Sequence, residues 1–181
     1  MQTLETARLR LRPWEPGDAG FVLDLYSRWD VQRFIGSTPR VMVDPAEATE
    51  RINAWRTMDH PVHGVWAVEV KEAGTLAGTL LLKSIPASGP VPLQPSGDTE
   101  IGWHFHPGSW GRGYATEAAA AVLAYAFGHG LPAVVAVTNP ANAASQRVCA
   151  RIGLAHQGRT DRYYNATCEL FGLQASGAER P

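Results

Sequence analysis

Between Leu4 and Trp14 apolar and cationic positions alternate, with Leu9 and Leu11 on one face and Arg8, Arg10 and Arg12 on the other. A period of two marks a half-buried strand, and Pro13 and Pro16 close it. Asp18 can cap a helix carrying Phe21, Val22, Leu25 and Tyr26, and Gly36 to Pro39 breaks that pattern. Asp44, Pro45 and Glu47 supply an N-cap, a first-turn proline and an acid at N3, predicting a second helix to about Met58. Gly64–Val70 and Thr75–Ile85 read as strands joined across Lys71 to Gly74. Residues 86–98 hold four prolines and two glycines, a loop between strands of one sheet.

Alternation returns over Thr99–Phe105, and helical spacing runs from Tyr114 to Phe127 until Gly128 and Gly130 stop it. Ala133–Val137 is a short apolar strand. Asn139 and Pro140 read as the cap and first residue of a helix ending near Ile152 and Gly153. Strand-like pieces follow around His156 and over Cys168–Leu173. The order βααβββαβαββ predicts a mixed sheet flanked by helices, an α/β or α+β single domain. An edge strand near 166–173 could pair across a two-fold, so monomer and homodimer both stay open.

The 181 residues suffice for one core, and 45% hydrophobic with 18% charged residues is ordinary for a soluble globular chain. A formal net charge of −1 gives no reason to expect nucleic acid or an anionic membrane as partner. Cations are lopsided, fourteen arginines against Lys71 and Lys83 alone. Cys149 and Cys168 cannot form a disulfide framework and are expected as buried thiols in a reducing compartment. The opening residues lack an apolar leader core and no run reaches membrane-spanning length, so a cytoplasmic location is expected.

Chemistry concentrates between Phe105 and Glu117, where a glycine-bearing turn links a strand to a helix. Glycine leaves successive N–H groups free to face an anion, and the helix dipole adds about half a positive charge, which suits a pyrophosphate. The same turn could simply reverse the chain. A P-loop is excluded because the stretch has no lysine, and the three-glycine dinucleotide fingerprint does not fit. Downstream, Asn142 and Ser145 are three apart and share a helix face, either a polar surface or groups presented beside the first loop. His104 and His106 lie two apart, as His60 and His63 nearly do, but no Cys or acid completes a ligand set, so no metal is expected.

Together these clusters resemble the GCN5-related N-acetyltransferase (GNAT) superfamily over nearly the whole chain. That family's pyrophosphate loop reads Gln/Arg-x-x-Gly-x-Gly/Ala. Here Gly113 and Ala115 match, while Trp110 replaces Gln or Arg. The run Trp110 to Ala118, the opening Glu5 to Arg12, the Glu100 to Trp103 strand and Asn142-x-x-Ser145 are similar to the branch that acetylates N-termini of ribosomal proteins.

The resemblance implies a domain over residues 1–174, with a central mixed, mostly antiparallel twisted sheet and about four helices, and a frayed tail over 175–181. It implies acetyl-CoA as cosubstrate. Backbone of Trp103, His104 and Phe105 would pair with the pantetheine arm. N–H groups of Gly111, Arg112, Gly113, Tyr114, Ala115 and Thr116 would hold the pyrophosphate, with Arg112 near a phosphate. Asn142 would contact the cofactor, and Ser145 would protonate the departing thiolate, a role some members give to tyrosine.

An amine acceptor, either a protein N-terminus or a small molecule, would attack the thioester directly, and a base must take its proton. Glu100 is the first candidate base, sharing a face with Gly102 and His104. His104, His106, Asp161 and ordered water stand behind it. Trp103, Trp110, Tyr163 and Tyr164 could line the acceptor pocket or the core. Glu117 suits a first helical turn with or without a ligand. The alternative function is a non-catalytic acyl-CoA-binding module.

Overall fold

The computed structural model describes residues 1–175. Eight strands form one sheet: β1 (Leu4–Glu5), β2 (Leu9–Pro13), β3 (Gly64–Val70), β4 (Thr75–Pro86), β5 (Pro95–Phe105), β6 (Ala133–Thr138), β7 (Ala155–Tyr163) and β8 (Ala166–Gln174). The helices are α1 (Ala19–Ser27), α2 (Trp29–Gln32), α3 (Pro45–Arg56), α4 (Tyr114–Gly128) and α5 (Ala143–Arg151). Strand order is β1-β2-β3-β4-β5-β6-β8-β7. Every neighbouring pair is antiparallel except β5 and β6, which run parallel because α4 crosses between them. The mixed α/β architecture expected from the sequence is the one observed.

Period-two burial divides the core between the sheet's two faces. Trp66 and Val68 join Leu9, Leu11, Leu80, Leu82 and Ile101 against α4 residues Ala118, Ala119 and Val122. Val65 and Ala67 point the other way, into Trp14, Leu25 and Tyr26 and the α3 residues Ala48 and Ile52. Asp44 caps α3 as expected, its Oδ1 accepting from the Ala46 N–H at 2.8 Å. Cys149 and Cys168 are buried free thiols.

Several local expectations are corrected. The first strand is interrupted over Thr6–Arg8, where the chain turns to reach Glu117. Asp18 stands at the N-cap position of α1 but its side chain makes no capping bond; it grips Arg12 with both oxygens, at 2.8 and 3.0 Å, and closes a short 3-10 turn over Pro16–Asp18. The loop expected over 86–98 is shorter, because β4 and β5 extend until Pro86 opposes Pro95. The helix expected from Asn139 starts at Ala143 with Asn142 as its cap. Strand β8 is interior, between β6 and β7, so residues 166–173 are no edge available for a two-fold. Of the tail expected over 175–181, residues 176–181 lie outside the described residues.

Candidate active site

Parallel β5 and β6 are in register at one position, Glu100 opposite Val135. Beyond it β5 continues to Phe105 paired only with β4, while β6 continues to Thr138 paired only with β8. A cleft of about 740 Å³ opens where they part, lined by Gly102 to Phe105 on one wall and Ala136 to Asn139 on the other. Ligands in open α/β sheets bind in this kind of crevice, past the carboxyl ends of diverging parallel strands.

The turn from β5 into α4 forms one end of the cleft. His106 Nδ1 accepts from the Gly108 N–H at 3.1 Å, shaping a 3-10 turn over Pro107–Ser109. Trp110, in the place of the motif's Gln or Arg, donates its indole N–H to the Phe105 carbonyl at 2.7 Å and so closes the end of β5. Gly111 and Gly113 hold φ of 73° and 78°, the left-handed region where a side chain is strained. Among the described residues, none of the N–H groups from Gly111 to Thr116 has an acceptor; the first bonded amide is Glu117 N–H, to Gly113 O at 3.1 Å. Gly111, Gly113, Tyr114, Ala115 and Thr116 line the cleft, and Arg112 does not.

A second cation, Arg8, reaches this turn from the N-terminal segment, a placement no local pattern announces. Its guanidinium donates to the Arg112 carbonyl at 3.0 Å and lies over the Tyr114 ring, 5.0 Å from the centroid. Glu117 accepts from Thr6 Oγ1 at 2.6 Å, Arg8 N at 2.9 Å and Arg8 Nε at 2.6 Å. Burial pushes its carboxyl up, but these donors outweigh burial and hold it below the usual carboxylate range. Glu117 therefore fastens the N-terminal segment to α4 and is not in the cleft wall.

Across the cleft, Asn142 Oδ1 accepts from the Ser145 N–H at 3.1 Å, which makes Asn142 a cap where a position on the helix face was expected. Both residues line the cleft, and Ser145 Oγ makes no hydrogen bond among the described residues. Thr138, at the end of β6, is 7% exposed, lines the same space, and its Oγ1 has no partner there either. Free loop amides and an unpaired buried hydroxyl fit a polar ligand lying along the cleft from the α4 turn to β6.

Glu100 sits where the strands begin to part and is 5% exposed. Lys83, opposite it on β4, places Nζ 3.2 Å from its Oε1, and the Tyr164 hydroxyl donates to the same oxygen. Burial raises the Glu100 carboxyl above the usual carboxylate range, with Lys83 and Tyr164 opposing the rise. Burial, then the charge of Glu100, pushes the Tyr164 phenol up, so it keeps its proton. Lys83 carried a signal in the sequence, as a lone cation in the apolar run from Leu80 to Ile85.

His104, two residues on, also lines the cleft. Its Nδ1 lies 2.9 Å from the Tyr26 hydroxyl. Desolvation first, then the charges of Arg51 and Lys83, bring the imidazole down to about 3, so it is neutral and a weak proton acceptor. His106 and Asp161 lie outside the cleft wall, as does Tyr163, whose hydroxyl donates to Asp98 at 2.7 Å. Among the described residues no group of three His, Cys, Asp or Glu side chains is placed to hold a metal ion.

This architecture defines a cleft between parted parallel strands with a helix N-terminus at one end. Residues 8–155 match the acetyltransferase (GNAT) domain family; the chain belongs to that family and is an acetyltransferase. YkkB of Bacillus subtilis is 33% identical over 174 residues, 93% of each chain. The FsC-acetyl coenzyme A-N(2)-transacetylase of Aspergillus fumigatus is 30% identical over 158 residues, 85% of this chain and 65% of that one. The fold is shared with the RimL ribosomal L7/L12 α-N-protein acetyltransferase solved with coenzyme A, at 14% identity, a TM-score of 0.77, and 96% and 98% coverage.

Proposed function

We propose that the chain transfers an acetyl group from acetyl-CoA to a primary amine by direct attack, within a single catalytic domain spanning residues 1–174. What carries this reading is one continuous cleft with unpaired loop amides at the α4 end and Glu100 and Ser145 in its walls. The thioester supplies the activated acetyl group. N–H groups from Gly111 to Thr116 hold the pyrophosphate, helped by the α4 dipole, and Arg8 keeps the turn in shape from behind. The backbone of Trp103 to Phe105, left without a strand partner on the β6 side, pairs with the pantetheine arm. Asn142 shapes the start of α5 and Thr138 Oγ1 offers a further polar contact.

Glu100 takes the amine's proton. Its raised carboxyl lies nearer the operating pH than an ordinary glutamate, which makes it the more effective base. Ser145, with an uncommitted hydroxyl, gives its proton to the departing thiolate and takes one back from solvent. The acceptor enters past Asp30, Val31 and Arg33 to Gly36, which also line the cleft, and it is either a protein N-terminus or a small amine. Buried thiols at Cys149 and Cys168 support work in a reducing compartment, the cytoplasm.

The test is CoA release from acetyl-CoA across a panel of peptide N-termini, polyamines and amino sugars. Turnover with at least one amine is expected, falling on the order of 10²–10⁴-fold in Glu100→Gln. No release with any amine would overturn amine acetylation; full activity in Glu100→Gln would remove Glu100 from the chemistry.

A further inference from the structure

Resting on the reading of Glu100 as the base, we propose that Lys83 and Tyr164 are its positioning residues: by occupying Oε1 together they leave Oε2 as the oxygen that faces the acceptor amine. Both contacts fall on the same atom. Lys83 Nζ stands 3.2 Å from Oε1 and the Tyr164 hydroxyl donates to Oε1. Among the described residues Oε2 accepts nothing, yet it is not one of the buried polar atoms sealed away without a partner. Glu100 lines the cleft, so Oε2 meets what the cleft holds.

This clamp is built from three separate parts of the fold. Lys83 comes from β4, directly opposite Glu100 in register, and its Nζ also donates to the Tyr164 hydroxyl at 3.2 Å. Tyr164 comes from the β7–β8 turn, where Tyr164 and Asn165 have φ of 59° and 51° although neither is glycine. Two such residues in a row are what the two-residue hairpin turn between the paired Tyr163 and Ala166 calls for. The β4–β5 connection holds this turn in place: Asn165 Oδ1 accepts from the Gly89 N–H at 2.8 Å, its Nδ2 donates to the Gly89 carbonyl at 3.0 Å, and its N–H reaches Ser88 Oγ at 3.0 Å. The proline-rich connection thus latches the hairpin that carries Tyr164 onto Glu100.

Lys83 has a second effect through charge. A carboxylate this deeply buried tends to stay protonated, and an ammonium nearby favours the ionised form that a base requires. The other groups facing Glu100 do not supply that charge. Cys168 on β8 is a thiol that burial pushes up, Val135 and Val137 on β6 are apolar, Asp98 along β5 is committed to Tyr163, and His104 is neutral. During turnover the proton moves from the amine nitrogen to Oε2 as the new N–C bond forms, and leaves as Oε2 exchanges with solvent. Oε1 keeps both donors throughout.

The experiment is the pH dependence of kcat, with one acceptor throughout, for the wild type, Lys83→Met, Lys83→Arg, Tyr164→Phe and Glu100→Gln. Activity needs ionised Glu100, so removing either donor raises its titration and moves the acidic limb to higher pH. A shift of about one pH unit or more is expected in Lys83→Met, and a smaller one in Tyr164→Phe. Activity should return toward wild type at alkaline pH, Lys83→Arg should restore the limb, and KM for acetyl-CoA should hold steady. If Glu100→Gln is inactive and both donor variants lose activity equally at every pH, the positioning role is overturned and Glu100 remains the base. If Glu100→Gln is fully active, the base assignment itself fails. Should Lys83→Met not fold, Tyr164→Phe alone decides, because a phenyl ring fills the same space.

Discussion

Glu117 shows how one side chain can shape a turn through an intermediary, without reaching into the cleft. Its two oxygens gather Thr6 and Arg8, and Arg8 in turn holds the Arg112 carbonyl. Arg8 Nη2 would lie 3.4 Å from a Cβ at position 113, so Gly113 is packed from behind by the residue that Glu117 anchors. The pairing also neutralises Glu117, which would otherwise place a bare negative charge in the first turn of α4, beside the amides proposed to hold phosphate. Glu117→Ala is expected to lower unfolding stability by about 1–2 kcal/mol, discounted for the exposure of Arg8. It should weaken acetyl-CoA binding more than it changes kcat; calorimetric titration and steady-state kinetics check the two together. Equal loss in both would mean that Glu117 acts on more than the turn.

At the scale of elements, the site depends on how closely β4 and β5 approach. A Cβ at Gly78 would lie 2.4 Å from the His104 carbonyl oxygen and 2.9 Å from the Phe105 Cα, both backbone atoms that cannot yield cheaply. Gly78→Ala is expected to push the end of β5 toward the cleft and lower stability by about 1–3 kcal/mol, read as a lower urea midpoint at unchanged slope.

Such contacts explain which elements the sequence made legible. Helix α3 was readable because Asp44, Pro45 and Glu47 act within one turn. Strand β5 was readable from alternation over Thr99–Phe105, and the turn into α4 from its glycines. Misreadings arose where a distant partner decides the outcome. Glu117 draws Thr6–Arg8 out of a continuous strand, and Arg12 takes Asp18 away from capping α1. Asn139 and Asn142 are equally good caps by composition, and Asn139 spends its Oδ1 on the Ala141 N–H at 2.9 Å. The partnership of Lys83 with Glu100 follows from register across β4 and β5, which alternation alone does not fix. Local sequence likewise could not place Tyr164, because its hairpin is held by Ser88 and Gly89.

For the molecule as a whole, the sheet's one parallel neighbour pair does most to make a site. Seven strand pairings follow the order of the sheet, and six are antiparallel. Only where α4 carries the chain from β5 to β6 can two carboxyl-terminal strand ends part with a helix N-terminus between them. Two cores, one under α4 and one under α1 and α3, brace the sheet from both faces while this gap stays open.

Acetyl-CoA is expected to occupy this gap with its pyrophosphate on the Gly111–Thr116 amides. The most direct measurement is thermal unfolding with and without acetyl-CoA, for the wild type and Gly113→Glu. At a hundredfold excess over Kd the ligand should add about 2.7 kcal/mol, a rise of roughly 5–10 °C in Tm for a chain of this size. Gly113→Glu places a side chain at a φ of 78° and drives it against Arg8, straining the turn whose amides would hold the phosphate, so the rise should vanish although the variant still unfolds cooperatively. An undiminished rise in that variant, or none in the wild type, would contradict the assignment of the cleft.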